Sequence, residues 1–184
     1  MTIGRHECRQ ARNCNFQEAL GALLDEALTA LEESFHDLTD PQLAAFPLPG
    51  RNNVAWIVMH ALQNLNEYAN VAQGGEPIST VLAQPRWDLW QCQPEERPGP
   101  GDTFPSKARM LNWLRALRPR AEEALARIDE AYLTSKPPGR WPGNYADMYL
   151  RTICHTTAHV RQIWVLRGAQ GLVSAKTWPQ QHWA

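Results

Sequence analysis

Apolar side chains recur at helical spacing in four segments of this chain, and prolines and glycines interrupt the pattern between them. Apolar residues three or four positions apart fall on one face of an α-helix, so each segment predicts an amphipathic helix. No stretch alternates apolar and polar residues over a length that would form a useful strand. The predicted helices cover residues 15–36, 53–73, 106–132 and 145–167. Four amphipathic helices of similar length predict an all-α fold, a four-helix bundle.

The connections between the predicted helices differ in length. The second helix ends at a Gly-Gly pair, and residues 76–104 then form a connection too long for a simple turn. This length predicts a crossover between the second and third helices of the bundle. We predict one domain over residues 1–184, with residues 1–14 as an N-terminal extension and residues 169–184 as a tail that packs on the bundle.

The charge pattern argues against several classes of partner. Basic residues are scattered among acidic ones and the formal net charge is −1, so we do not expect nucleic acid as a partner. We expect no membrane association, because no apolar run resembles a signal peptide or approaches a membrane span. The four cysteines form no CxxC motif, and free thiols in a cytoplasmic protein are the expected state.

The fourth predicted helix carries His155 and His159 four residues apart, in the stretch TICHTTAHVRQI. One helical turn separates them, so their Cβ atoms should lie about 5–6 Å apart on one face. That face is the inward one, shared with Thr152 and Ile163, and Gln162 lies at its edge. Two buried neutral imidazoles need partners for their nitrogens, and a shared metal ion would supply one. Hydrogen-bonded core histidines are more common, and the spacing alone leaves both interpretations open.

A third histidine, His60, lies at the flank of the apolar face of the second predicted helix. Asn64 and Glu67 follow it one and two turns further along. In a bundle this flank would face a neighbouring helix, where a third imidazole could join the other two. A histidine at the solvent edge is the alternative for this position considered alone.

The order and spacing of these motifs resemble the DinB/YfiT-like family. The residues that carry the resemblance are N-x-x-A-W-I-x-x-H on the second helix and H-x-x-x-H-x-x-Q-I on the fourth, and the likeness covers most of the chain from about residue 15. The resemblance implies a four-helix bundle that forms a homodimer, with His60, His155 and His159 as metal ligands. Many relatives have Arg or Ala followed by Gly between the second histidine and the glutamine, whereas this sequence has Val160 and the bulkier Arg161.

The resemblance also implies a metal-dependent enzyme. Three histidines from two helices would leave coordination positions open, as catalytic sites do. The expected cofactor is a divalent transition metal, with zinc or nickel preferred and iron or manganese as further candidates. Members of the wider group use low-molecular-weight thiols such as bacillithiol, mycothiol or glutathione, so we expect a bound thiol or water to attack a small electrophilic substrate. Asn64, Glu67 and Gln162 are the expected neighbours of the ligands, orienting imidazoles or moving a proton.

Other classes of function compete with this interpretation. Thr156 stands where an HExxH protease would have its glutamate. A di-iron bundle needs two Glu-x-x-His motifs, and the sequence has one, from Glu33 to His36 in the last turn of the first predicted helix. We expect the connection of residues 76–104, with Trp87 and Trp90, to cover the substrate. Because no residue stands out as a general base, the alternative is a non-catalytic bundle, either a metal-binding or stress-associated protein or a dimeric binding module.

Overall fold

The computed structural model describes residues 15–77, 100–137 and 142–172. Within these ranges the chain forms six α-helices and no strand, which confirms the predicted all-α class. A short 3₁₀ turn (Val71–Gln73) follows the third helix. The helices are α1 (Phe16–Phe35), α2 (Asp40–Ala44), α3 (Val54–Ala69), α4 (Lys107–Arg127), α5 (Glu130–Thr134) and α6 (Tyr145–Ala169). None of the helices described is both long and apolar enough to cross a membrane.

The four long helices begin where the sequence predicts. Each begins after a polar residue whose side chain accepts a hydrogen bond from the backbone N–H three positions further on, and these residues are Asn15, Asn53, Ser106 and Asn144. Such a bond satisfies one of the N–H groups that a helix leaves without a partner in its first turn. The helix starts are therefore determined by local sequence.

The predicted continuation of the third helix to residue 132 is wrong. The backbone leaves the helical conformation at Ile128, where φ is −98° and ψ is 146°. Gln17 on α1 donates hydrogen bonds from its side-chain amide to the carbonyl oxygens of Leu125 and Ile128, the latter at 2.6 Å. These bonds satisfy carbonyl groups at the end of α4, and Asp129 then caps α5.

The ends of α3 and α6 also differ from prediction. Helix α3 ends at Ala69, and the chain turns out of the 3₁₀ segment at Gly74, whose φ of 83° is in the left-handed region. Helix α6 continues through Gly168, and the first left-handed residue after it is Gly171 with φ of 70°. The Gly-Gly pair thus marks the exit after α3 as predicted, whereas α6 extends two residues beyond its predicted end at residue 167.

The core lies between the four long helices. Helix α1 packs against α4 and α6, and α3 packs against the same two helices. Helix α3 is buried almost all round, since 13 of its 16 residues are buried, whereas the sequence predicts a single apolar face. His60, predicted at the flank of that face, is therefore only 6% exposed.

Three contacts show that α3 and α6 run in opposite directions. His60 on α3 lies against His155 on α6, with 3.0 Å between the Nε2 atoms. Beyond the end of α3, Gln73 accepts a hydrogen bond from the hydroxyl of Tyr132. The ring of Tyr132 stacks on Tyr145 at the start of α6, with 4.3 Å between the ring centroids. The segment of α3 after His60 therefore runs alongside the segment of α6 before His155.

Candidate metal centre

Three imidazoles from two helices meet at one point between α3 and α6. The Nε2 atom of His155 lies 3.0 Å from that of His60 and 3.1 Å from that of His159. One nitrogen from each ring lies within 4.8 Å of the others, and no other group of three histidine, cysteine or acidic side chains in the described ranges comes as close. The structure thus brings together the three histidines that the sequence singles out.

The surroundings of the three rings combine burial with partial access. His60 is buried, and the ring of Trp56, one turn earlier on α3, stacks on it with 4.8 Å between centroids. His155 and His159 are partly buried on α6. The site therefore has an aromatic wall on the α3 side and stays within reach of solvent on the α6 side.

The local electrostatics favour neutral imidazoles. Burial, together with the smaller effects of the nearby His159, His60 and Arg151, lowers the pKa of His155 to about 3. Burial also lowers the pKa of His159 to about 4, against a smaller upward effect of Gln162. Neutral imidazole is the form that binds a metal ion, because a protonated ring nitrogen has no lone pair to offer.

Gln162 fixes the orientation of one ring. Its Oε1 atom lies 2.9 Å from Nδ1 of His159, one turn earlier on α6. An amide oxygen only accepts, so Nδ1 carries the proton and Nε2 presents its lone pair to the other two histidines. The Nδ1 atom of His155 is also buried, and no described residue is hydrogen-bonded to it.

The Nε2 atoms of the three histidines face one another in an arrangement that suits a metal ion. Lone pairs that face one another at about 3 Å repel unless a proton or a cation lies between them. A transition metal suits imidazole nitrogen and would accept all three lone pairs at once. The residues present therefore fit a divalent transition metal.

The other predicted site residues lie in different surroundings. Asn64 is partly buried on α3, and Glu67, one turn later, is exposed. Among the described residues, no hydrogen bond joins Asn64 or Glu67 to the three histidines. Trp87 and Trp90 lie outside the described residues. Their role in covering the substrate therefore stays a prediction.

Gln63 was missed by the sequence reasoning. It follows His60 by three residues, is 4% exposed, and its buried Oε1 atom has no hydrogen-bond partner in the described part of the chain. A polar residue one turn from a candidate ligand was the available signal. The periodicity does not predict this burial, because a helix with one buried face would place Gln63 outside that face.

Comparison with known proteins identifies the family. Residues 23–163, which include all three histidines, match the model of the DinB superfamily. The chain belongs to the DinB superfamily. This confirms the resemblance seen in the sequence motifs.

The fold of this DinB-superfamily chain is also found in a solved structure. It resembles the crystal structure of a conserved protein from Enterococcus faecalis, with a TM-score of 0.71 and 18% sequence identity. The match covers 85% of this chain and 98% of that one. At this identity the likeness shows the fold alone. A search of curated proteins finds no significant match.

Proposed function

We propose that this DinB-superfamily protein is a metal-dependent enzyme that activates a low-molecular-weight thiol or water. The reaction is transfer to, or hydrolysis of, a small electrophilic substrate. The observation that carries the proposal is the convergence of His60, His155 and His159 through their Nε2 atoms. Three neutral ligands leave coordination positions for a nucleophile, which distinguishes a catalytic from a four-ligand structural site.

The preferred metal is zinc or nickel, with iron or manganese as further candidates. When bound, such an ion lowers the pKa of a coordinated water from about 15.7 towards about 7, or deprotonates a coordinated thiol. The three histidines bring no charge of their own, so they leave the full charge of the ion available for this effect.

Three further side chains have proposed roles. Gln162 holds the ring of His159 through its Nδ1 proton, which keeps the metal-facing nitrogen free. Asn64 and Glu67 are proposed to orient an imidazole or to move a proton. Their positions one and two turns after His60 support this, and the exposure of Glu67 suits exchange of a proton with solvent.

The same proposal includes the assembly of the chain. The packing of α1 and α3 against both α4 and α6 supports a four-helix bundle, with the connection after α3 as its crossover. We propose a single domain, a homodimer and a cytoplasmic location, where low-molecular-weight thiols are available as substrates.

The test is conjugation of glutathione, mycothiol or bacillithiol to chlorodinitrobenzene by the zinc- or nickel-loaded protein. The thiolate sulfur attacks the ring carbon, a C–S bond forms, chloride leaves with the electron pair of the C–Cl bond, and the thiol proton passes to solvent. We expect a rate above the uncatalysed one, retained in His36→Ala and lost in His155→Ala. Equal rates for the wild type and His155→Ala would contradict the mechanism.

One observation favours a second candidate, a non-catalytic metal-binding bundle. No carboxylate oxygen of the described residues joins the three-histidine cluster, so none of these residues supplies an acidic general base within that cluster. This candidate predicts that the cobalt-loaded protein does not bind azide, whereas the enzyme proposal predicts a spectral change on azide addition.

A further inference from the structure

Two side-chain amides with buried oxygen atoms follow His60 on α3. The Oε1 atom of Gln63 and the Oδ1 atom of Asn64 are both inaccessible to solvent, and no described residue hydrogen-bonds to either. They stand three and four residues after His60, so their Cβ atoms lie about 5–6 Å from that of His60 on the surface of the helix. The side chain of Gln63 is 4% exposed in total.

A third side-chain amide, at the C-terminal end of α3, has hydrogen-bond partners. Asn70, 2% exposed, donates hydrogen bonds from Nδ2 to Oδ1 of Asn66 at 3.1 Å and to the carbonyl oxygen of Glu76 at 2.8 Å. Buried polar atoms in native proteins are nearly always paired in this way, because an unpaired one destabilises the fold. The amide oxygens of Gln63 and Asn64 lack such a partner, as do some other buried polar atoms of the described ranges, and these two follow a candidate metal ligand on its own helix.

We propose that the amide oxygens of Gln63 and Asn64 form a specificity subsite for the molecule bound at the three histidines. The subsite accepts hydrogen bonds from a hydroxyl, an amide N–H or an ammonium group of that molecule. This inference rests on the proposed function and narrows its substrate to small thiols that carry a hydrogen-bond donor. An amide oxygen only accepts, so this contact requires a hydrogen-bond donor on the bound molecule.

The distance between the two parts of the site sets the size of the ligand. The Cβ atoms of residues three or four positions apart on a helix are about 5–6 Å from each other. A two-carbon arm holds the sulfur and the donor up to about 4 Å apart, and a hydrogen bond of about 3 Å extends the reach of the donor to an amide one turn from His60. Mercaptoethanol therefore carries a thiol and a hydroxyl at suitable separation, and methoxyethanethiol is its matched analogue without the donor.

The experiment is titration of the cobalt-loaded protein with each thiol, followed by the cobalt–thiolate absorption. We expect mercaptoethanol to bind about tenfold more tightly than methoxyethanethiol, as one hydrogen bond to a buried acceptor allows. At full cobalt occupancy, Gln63→Met and Asn64→Leu should each reduce this preference. Equal affinity of the two thiols in the wild type, an unchanged preference in both variants, or binding of neither thiol would overturn the subsite.

A second measurement needs no metal. Replacing an unpaired buried amide by an apolar side chain of similar volume removes a destabilising group, so Gln63→Met should raise the melting temperature of the metal-free protein by about 2–4 °C. Asn70→Leu is the matched control and should lower the melting temperature, because its amide is partnered. A lower melting temperature for Gln63→Met would show a structural role and overturn the inference.

These outcomes distinguish a failure of the proposed function from a failure of the subsite alone. Failure of the wild type to bind cobalt would contradict the proposed function, and the subsite would fall with it. Cobalt and thiol binding without a preference for the donor would contradict the subsite alone.

Discussion

The Nδ1 atom of His159 and the Oε1 atom of Gln162 lie 2.9 Å apart on successive turns of α6. This bond holds the imidazole in the tautomer whose Nε2 atom can bind a metal, and loss of such a bond costs about 10–100-fold in metal affinity. Gln162→Ala should therefore weaken zinc binding by about that factor in a chelator competition. The neighbouring Arg161→Ala is the matched control on the same turn and should bind zinc as the wild type does. Equal affinities for Gln162→Ala and the wild type would contradict the role.

Protonation of the histidines links the stability of the metal-free protein to pH. The unfolded chain takes up protons on His155 and His159 near pH 6.5, as model histidines do. The folded chain takes them up only near pH 4 and pH 3, because their pKa values are about 4 for His159 and about 3 for His155. Between these limits the unfolded state binds more protons, so the free energy of unfolding is highest above pH 6.5 and falls as the pH decreases towards 4.

Urea unfolding of the metal-free protein at about pH 7.5 and about pH 5 measures this effect. The loss of stability at the lower pH should be smaller in His155→Leu, which removes one of the two titrating groups. It should be unchanged in His36→Ala, since His36 is exposed at the end of α1. The same loss in His155→Leu as in the wild type would refute the linkage.

Two tyrosines on neighbouring elements differ in how their hydroxyl groups are used. Tyr149 is fully buried, and its hydroxyl has no hydrogen-bond partner within the described ranges, whereas the hydroxyl of Tyr132 donates to Gln73 at 3.0 Å. Tyr149→Phe should leave the free energy of unfolding unchanged or raise it by up to about 1 kcal/mol. Tyr132→Phe should lower it by about 0.5–1.5 kcal/mol. Urea unfolding of both variants measures these changes. A large loss in the free energy of unfolding of Tyr149→Phe would show that the Tyr149 hydroxyl has a hydrogen-bond partner.

A buried arginine joins the end of α6 to the end of α1. The guanidinium of Arg167, 3% exposed, donates to both carboxylate oxygens of Asp37, at 2.6 and 2.8 Å, and to the carbonyl of Ser34 at 3.0 Å. The hydrogen bonds from Arg167 lower the pKa of Asp37.

Asp37→Ala should therefore destabilise the protein by about 1–3 kcal/mol, because it leaves a buried cation without its carboxylate. The matched control is Asp25→Ala, which breaks an exposed pair with Arg118 and should cost less than about 1 kcal/mol. Thermal unfolding of both variants measures the difference, and equal losses would argue against a special role of the Arg167 pair.

The starts of the helices could be predicted because their causes are local. A capping side chain such as that of Asn15 or Asn144 acts on a backbone group three residues away, so both partners are visible in one short stretch of sequence. The spacing of His155 and His159 is local in the same sense. The family motifs added His60 to this pair from another helix.

Features that depend on contacts between helices could not be predicted in this way. The helix break at Ile128 involves Gln17, which is 111 residues away in sequence and hydrogen-bonds to its carbonyl. The burial of Gln63 follows from the packing of α3 between its neighbours, which periodicity on one face does not reveal. These residues show that tertiary packing, more than helix propensity, decides which polar groups end up inside.

The central claim is that the three histidines bind one transition metal ion. The most direct test is metal content by plasma mass spectrometry on untagged protein, after reconstitution with zinc or nickel and removal of excess metal. The account predicts about one ion per chain in the wild type and in His36→Ala, and loss of the ion in His60→Ala and His155→Ala. Protein that retains no metal after reconstitution, or variants that retain as much as the wild type, would contradict it.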